Sequence, residues 1–256
     1  MKILLVGYGR MGQALAQQWL SLSDLTLTVI SPHSPKHPNF FNQLGDLPSP
    51  NKPDLIVFAV KPQVLSSIAA DYKPLIGEHT IIVSVAAGIS LASLKQWLGE
   101  SVVRLMPNLP VTVNQGVIGA YAPQLTHRQR LVVEKLLKGL GSVIWVEREV
   151  LIDAITAISG SGPAYYYYFT ECLARAGQSL GLPLEVAQEL AQQTFIGSAA
   201  VLAQLPDKEV SELRAQVTSP QGTTAAALQT FEQQNLNQSI LKAAKAAFQR
   251  AQELSK

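Results

Sequence analysis

The chain has 256 residues, enough for one large domain or two modest ones with a well-buried core. Hydrophobic residues make up 47% and charged ones 15%, which excludes a disordered chain. A formal charge of +2 with no run of Lys and Arg argues against nucleic acid or an anionic membrane as partner.

The first 147 residues alternate strand and helix. Residues 2–6 form a short apolar strand that ends in glycine, and 10–22 carry helical spacing. Strands follow at 25–30, 54–60, 80–85, 101–105, 117–121 and 142–147, with helices near 62–72, 91–98 and 126–140. Strands this apolar are covered on both faces, which predicts a Rossmann-type, doubly wound parallel sheet. From Val150 the period-2 pattern gives way to helices at 150–158, 163–180, 183–205, 207–216, 223–234 and 236–254. Two domains are expected, a dinucleotide-binding one over 1–149 and an all-helical one over 150–256. An apolar all-helical half needs a surface to bury against, either as an intertwined dimer or as a compact bundle.

The lone cysteine, Cys172, rules out an intrachain disulfide and lies in an apolar helical pattern that predicts a core position. The four histidines lack ligand spacing, so no metal site is expected. The apolar run at 3–6 is too short for a signal sequence, and no uninterrupted apolar stretch could span a bilayer. The cytoplasm is the expected compartment.

Gly7, Tyr8, Gly9, Arg10, Met11 and Gly12 fit the pattern G-x-G-x-x-G between a predicted strand and a predicted helix. Glycines there allow a sharp turn, close approach of a pyrophosphate and tight helix–strand packing. At the end of the second strand, an NAD site commonly places an acid to accept the ribose 2′-OH. No Asp or Glu occurs between Thr26 and Gly45; Ser31, His33, Ser34 and Lys36 stand there instead. Hydroxyls and a cation suit a 2′-phosphate, so NADPH is favoured, with NADH use left open. Val60, Lys61 and Pro62 end the third long strand, where Lys61 is either a phosphate neighbour or a surface charge.

Two segments rich in glycine and hydroxyls interrupt the helical half: SGSGPAY at 159–165 and VTSPQGTT at 217–224. Both stand where a helix should begin, with Pro163 suited to a first turn. Exposed amides at a helix start attract a small anion, although Thr223 and Thr224 also serve as plain capping residues. Residues 151–207 contain no Lys and no His, and no tyrosine of 165–168 has Lys four residues on. That disfavours reduction of a ketone, which must stabilise an alkoxide. The tyrosines at 165–168 are expected at a helix or subunit contact, Asp153 on a helix face or interface, and Glu171 with Arg175 as an i,i+4 pair.

These residues resemble the pyrroline-5-carboxylate reductase family over nearly the whole chain. The resemblance comprises the glycine turn, AVKP (59–62), SVAAGIS (84–90), MPNLP (106–110), SGSGPAY and VTSPQGTT, in that order. It implies NAD(P)H-dependent reduction of 1-pyrroline-5-carboxylate to L-proline, a helical dimerisation domain, and a homodimer or a decamer of dimers. By the same resemblance Met106, Pro107 and Asn108 would approach the nicotinamide. Ser219, Gly222, Thr223 and Thr224 would grip the substrate carboxylate across a dimer interface, with Ser219 and Thr224 acting in catalysis and Thr224 nearest the ring nitrogen. Three departures stand out: Gln221 replaces the first glycine of the usual Pro-Gly-Gly, Glu209-Val210 replaces a His-Pro, and a short stretch after Ser31 reduces the second helix to 39–44. A φ above zero at Gln221 would be strained. Two other readings remain, a related reductase of another imine or a hydroxy acid, and a dinucleotide-binding protein without catalysis.

Overall fold

The computed structural model describes residues 1–33, 35–48 and 52–255, which fall into two compact units, Met1–Ser161 with Ala246–Lys256, and Gly162–Lys245. The first unit contains β1 (Lys2–Val6), α1 (Arg10–Leu20), β2 (Thr26–Ile30), β3 (Phe40–Phe41), β4 (Leu55–Phe58), α2 (Pro62–Tyr72), β5 (Ile81–Ser84) and α3 (Leu91–Leu98). It continues with β6 (Val102–Pro107), β7 (Gly116–Tyr121), α4 (His127–Leu137), β8 (Gly141–Trp145) and α5 (Val150–Ile155). The strands form one sheet in the order β3-β2-β1-β4-β5-β6-β7-β8. Order reverses at β1, where β2 lies on one side and β4 on the other, the crevice at which doubly wound sheets bind ligands.

All strand pairs are parallel except β6 with β7, which is antiparallel. A 3₁₀ turn at Leu109–Val113, ending on left-handed Asn114, joins those two strands and is too short for a crossover helix. Alternate residues feed opposite cores. Leu5 and Val57 pack with Leu15, Trp19, Leu105 and Leu137, whereas Leu4, Ile56 and Phe58 pack with Leu65, Leu94 and Leu98. The Trp19 indole N–H donates to the Leu136 carbonyl at 2.9 Å, so the largest core side chain buries no unpaired donor.

Several local expectations are corrected. The reduced helix at 39–44 is instead β3 and a 3₁₀ turn at Leu44–Asp46. There the Val29 N–H donates to the Asn39 carbonyl and the Ser31 N–H to the Phe41 carbonyl, so pairing with the sheet edge wins over helix. α4 stops at Leu137 rather than 140, because Gly139 turns the chain at φ +93°. The helix expected over 150–158 is α-helical only to Ile155 and then π-helical over Thr156–Gly160.

The second unit is helical: α6 (Gly162–Ser179), α7 (Leu184–Gln204), α8 (Val210–Gln216), α9 (Thr223–Gln233) and most of α10 (Leu236–Leu254). α6 and α7 pack antiparallel through small residues, Gly177 against Ala187, and through the stacked rings of Tyr166 and Phe195. Much apolar surface stays uncovered on this unit, including Tyr166, Tyr168, Phe169, Leu190, Ile196 and Ile240. Cys172, expected in a core, is exposed because this face of α6 has no cover within one chain. Among the described residues no helix is long and apolar enough to cross a membrane.

Candidate active site

The glycine turn closes β1 onto α1. Gly7 has φ +100°, its N–H donates to the Ile30 carbonyl at 2.8 Å, and a Cβ there would lie 2.7 Å from the Ala59 carbonyl. A Cβ on Gly12 would lie 2.2 Å from the Gly7 carbonyl, so helix and strand could not approach as they do. Gly9 caps α1 with no side-chain hydrogen bond, and its missing Cβ faces open space. The amides of Arg10, Met11 and Gly12 have no intrahelical acceptor, and no acid occupies the first turn. An open, backbone-lined, electropositive cradle of this kind fits a pyrophosphate. Tyr8 sits on the rim, its carbonyl accepting from the Gln13 side-chain amide (Nε2) at 3.0 Å.

The other expected cofactor residues lie at the carboxyl ends of neighbouring strands. Ser31 follows β2 and is buried at 7% exposure. Lys36 lines an open cleft with Pro35, His37, Pro38, Phe40 and Asn42, whereas Ser34 lies outside the described residues. After β4, Val60 packs over Gly7, Lys61 caps α2 and Pro62 takes its first position. Met106 and Pro107 end β6.

Asn108 is employed as a clamp. Its side-chain carbonyl accepts from the Val117 N–H at 2.8 Å, and its amide donates to the Ser159 carbonyl at 3.1 Å. Ser159 belongs to the π-helical turn, in which the Ser161 N–H reaches back five residues to the Thr156 carbonyl. Gly160 is pressed against Met106, for a Cβ there would stand 2.9 Å from Met106 Cε. SGSG is therefore a widened helical turn docked beneath the end of β6, and a new helix start only from Gly162–Pro163.

Support for β6 comes from a charge cluster that no motif announces. Arg104, 3% exposed, donates to Glu149 at 2.7 Å, to Asp153 at 3.0 Å and to the Ser255 hydroxyl at 3.3 Å. Asp153 is thus an internal partner and not a helix-face charge. Glu149 also accepts from the Leu91 N–H at 2.6 Å, holding the start of α3. The available signal was one arginine in the apolar run VVRLMP, since a buried charge demands partners. Glu171 and Arg175 do form their i,i+4 pair.

In the helical unit, residues 217–224 turn from α8 into α9. The Gly222 N–H donates to the Ser219 carbonyl at 3.0 Å, and a Cβ on Gly222 would lie 2.3 Å from Ser219 Oγ. Gln221 adopts φ +60°, the left-handed conformation expected to be strained there. Gly222 caps α9 without a side-chain bond and no acid follows, so the amides of Thr223 and Thr224 and their hydroxyls form a neutral anion-attracting end.

Comparison with known proteins accords with this geometry. Residues 149–254 match the family described as pyrroline-5-carboxylate reductase dimerisation, and residues 2–88 match NADP oxidoreductase, coenzyme F420-dependent. A pyrroline-5-carboxylate reductase of Pseudomonas aeruginosa is 42% identical over 79% of this chain and 75% of its own length. The structure of a pyrroline-5-carboxylate reductase from Coxiella burnetii superposes with a TM-score of 0.88 at 32% identity, covering 99% of this chain and 98% of that one. A Plasmodium falciparum pyrroline carboxylate reductase with NADP bound gives 0.85 at 27% identity, covering 100% and 98%. The chain belongs to the pyrroline-5-carboxylate reductase family, oxidoreductases that act on a C=N bond in proline biosynthesis.

Proposed function

We propose that this chain reduces 1-pyrroline-5-carboxylate to L-proline in the cytoplasm, with NADPH as its preferred donor. Residues 1–149 would bind the dinucleotide, and 150–256 would bind substrate and build a homodimer or a decamer of dimers. The observation that carries this reading is the uncapped start of α9 behind the 219–222 turn, in a chain whose β1–α1 turn is shaped for a pyrophosphate. The uncovered apolar faces of α6 and α7 support self-association.

A dihydronicotinamide held by the residues at the carboxyl edge of the sheet would supply a hydride to the imine carbon. The residues have four tasks. The 7–12 turn fixes the pyrophosphate, while Val60, Met106 and Pro107 give the cofactor an apolar wall. Amides and hydroxyls at Ser219, Gly222, Thr223 and Thr224 orient the substrate carboxylate, and the helix dipole of α9 favours its charge. Thr224 Oγ1 holds the ring nitrogen and passes its proton to or from water, since an ordinary threonine hydroxyl is too weak an acid to donate outright. No strong acid is required, because an iminium needs orientation and exclusion of water more than proton transfer.

Purified protein should oxidise NADPH with 1-pyrroline-5-carboxylate and form proline. Thr224→Ala should raise KM for the imine and lower kcat with NADPH affinity retained. Folded protein that yields no proline overturns the reading, and equal losses of imine and nucleotide binding would make the 219–224 loop purely structural.

A further inference from the structure

A site without an acid after β2 still needs a means of telling a 2′-phosphate from a bare ribose hydroxyl. We infer that His37, braced on Phe40 beside Lys36, reads the 2′-phosphate and sets the preference for NADPH over NADH. The inference rests on the dinucleotide-binding reading above and adds a residue that no sequence motif singles out.

The backbone around His37 is pinned to the sheet. Phe40 pairs with Val29 in β2, its N–H closes a turn on the His37 carbonyl at 3.0 Å, and Ser31 donates to Phe41 at 2.9 Å. Pro35 and Pro38 flank the Lys36–His37 pair and restrict its backbone further. The rings then form a ladder. His37 lies 4.5 Å from Phe40, and Phe40 meets Tyr8 of the glycine turn edge-on at 5.2 Å. The pyrophosphate turn and the loop after β2 are thus linked by side-chain contact, which fixes the span from diphosphate to ribose.

Orientation of the imidazole gives it a defined role. His37 Nδ1 accepts from the Asn39 N–H at 3.3 Å, so the neutral ring carries its proton on Nε2. It is a hydrogen-bond donor whether neutral or charged. His37 and Lys36 line one open cleft whose other members, Pro35, Pro38, Phe40 and Asn42, carry no charge. A 2′-phosphate would meet an ammonium and an N–H there, whereas a 2′-hydroxyl would find no carboxylate to accept its proton. Ser31 is buried and its amide is already committed to Phe41, whereas Lys36 and His37 are exposed and line the cleft together.

The test uses the full chain and the variants His37→Phe, His37→Gln and Lys36→Gln. Calorimetry would measure NADP⁺, NAD⁺, adenosine 2′,5′-bisphosphate and adenosine 5′-phosphate, and kcat/KM would be compared for NADPH and NADH. His37→Phe keeps a ring on Phe40 and removes the donor. It should weaken NADP⁺ and the bisphosphate by about tenfold, the worth of one charge-assisted hydrogen bond, and NAD⁺ by no more than about twofold. His37→Gln, which keeps an N–H, should recover part of the loss, and Lys36→Gln should cost as much as His37→Phe. Equal changes for phosphorylated and unphosphorylated nucleotides, or no change in either, overturn the inference while dinucleotide binding by the parent still stands. If the parent binds neither dinucleotide, the broader reading falls with it. Should His37→Phe fail to fold, His37→Gln and Lys36→Gln decide by the same criterion.

Discussion

Asn108→Ala tests whether the end of β6 is held by the clamp that the structure shows. The substitution removes both side-chain hydrogen bonds of a residue that is 7% exposed, leaving the Val117 N–H and the Ser159 carbonyl without those partners. An unsatisfied buried polar group costs about 1–3 kcal/mol, and both groups retain some access to water. The expected loss is therefore about 2–4 kcal/mol, or roughly 5–12 °C in the melting midpoint of a unit this size. Asn108→Asp separates the two bonds, because it still accepts from Val117 but presents a second acceptor to the Ser159 carbonyl. It should destabilise at least as much as alanine. Urea unfolding followed by circular dichroism gives the free energies, and nucleotide KM shows whether Met106 and Pro107 have shifted. A loss below about 0.5 kcal/mol for both variants, the scale of an ordinary surface change, would refute the clamp.

Gly7→Ala should abolish nucleotide binding, with an affinity loss of about 100-fold or more, since φ +100° and a 2.7 Å approach to the Ala59 carbonyl both oppose a side chain; equilibrium titration reads it directly. Arg104→Met strands Glu149 and Asp153 together and should cost about 3–5 kcal/mol in denaturant unfolding, more than Ser255→Ala, which leaves the ion pairs intact. Burial, aided by Asp71, pushes the Tyr72 phenol up from 10.0 to about 12. The fold thus favours the neutral phenol, so this contribution is whole below pH 10 and fades as pH rises towards 12. Tyr72→Phe should flatten that decline when urea midpoints are compared at both ends of the window. Gln221→Gly relieves a left-handed glutamine but returns entropy to the unfolded chain, so stability should move by less than about 1 kcal/mol. Its KM for the imine should be unchanged, because the strained turn is already made.

The sheet was legible because its strands are short apolar runs between helices of regular spacing, and α2, α3 and α10 begin and end where the residue pattern places them. What escaped was decided by tertiary contact. Residues 39–44 have helical length, but Phe40 and Phe41 gain two backbone partners on β2 that a helix would forfeit. No local pattern distinguishes an antiparallel β7 from a parallel one; the five-residue 3₁₀ connection after β6 decides it by being too short to cross the sheet. The π-helical turn is equally invisible, because its extra residue is accommodated by Asn108 and Met106, which stand 51 positions before Ser159 and 54 before Gly160.

The site divides along the same line. Positions defined by the backbone, Gly7, Gly12 and Gly222, could be read because only glycine fits where a carbonyl or hydroxyl stands within about 3 Å of its missing Cβ. Positions defined by charge could not, since Arg104, Glu149, Asp153 and Ser255 are separated by up to 151 residues and acquire meaning only when buried together. That asymmetry follows from the chemistry. Iminium reduction calls for amides, hydroxyls and close backbone approach, which leave glycine-rich motifs in the sequence. The ionic residues are then free to brace the strand that carries the proposed apolar wall, and Arg104 stands two positions before Met106. A site that needed a buried lysine or histidine as acid would have placed titratable groups among those motifs; here the buried arginine, Arg104, is bonded to Glu149 and Asp153 on the strand that ends in Met106 and Pro107.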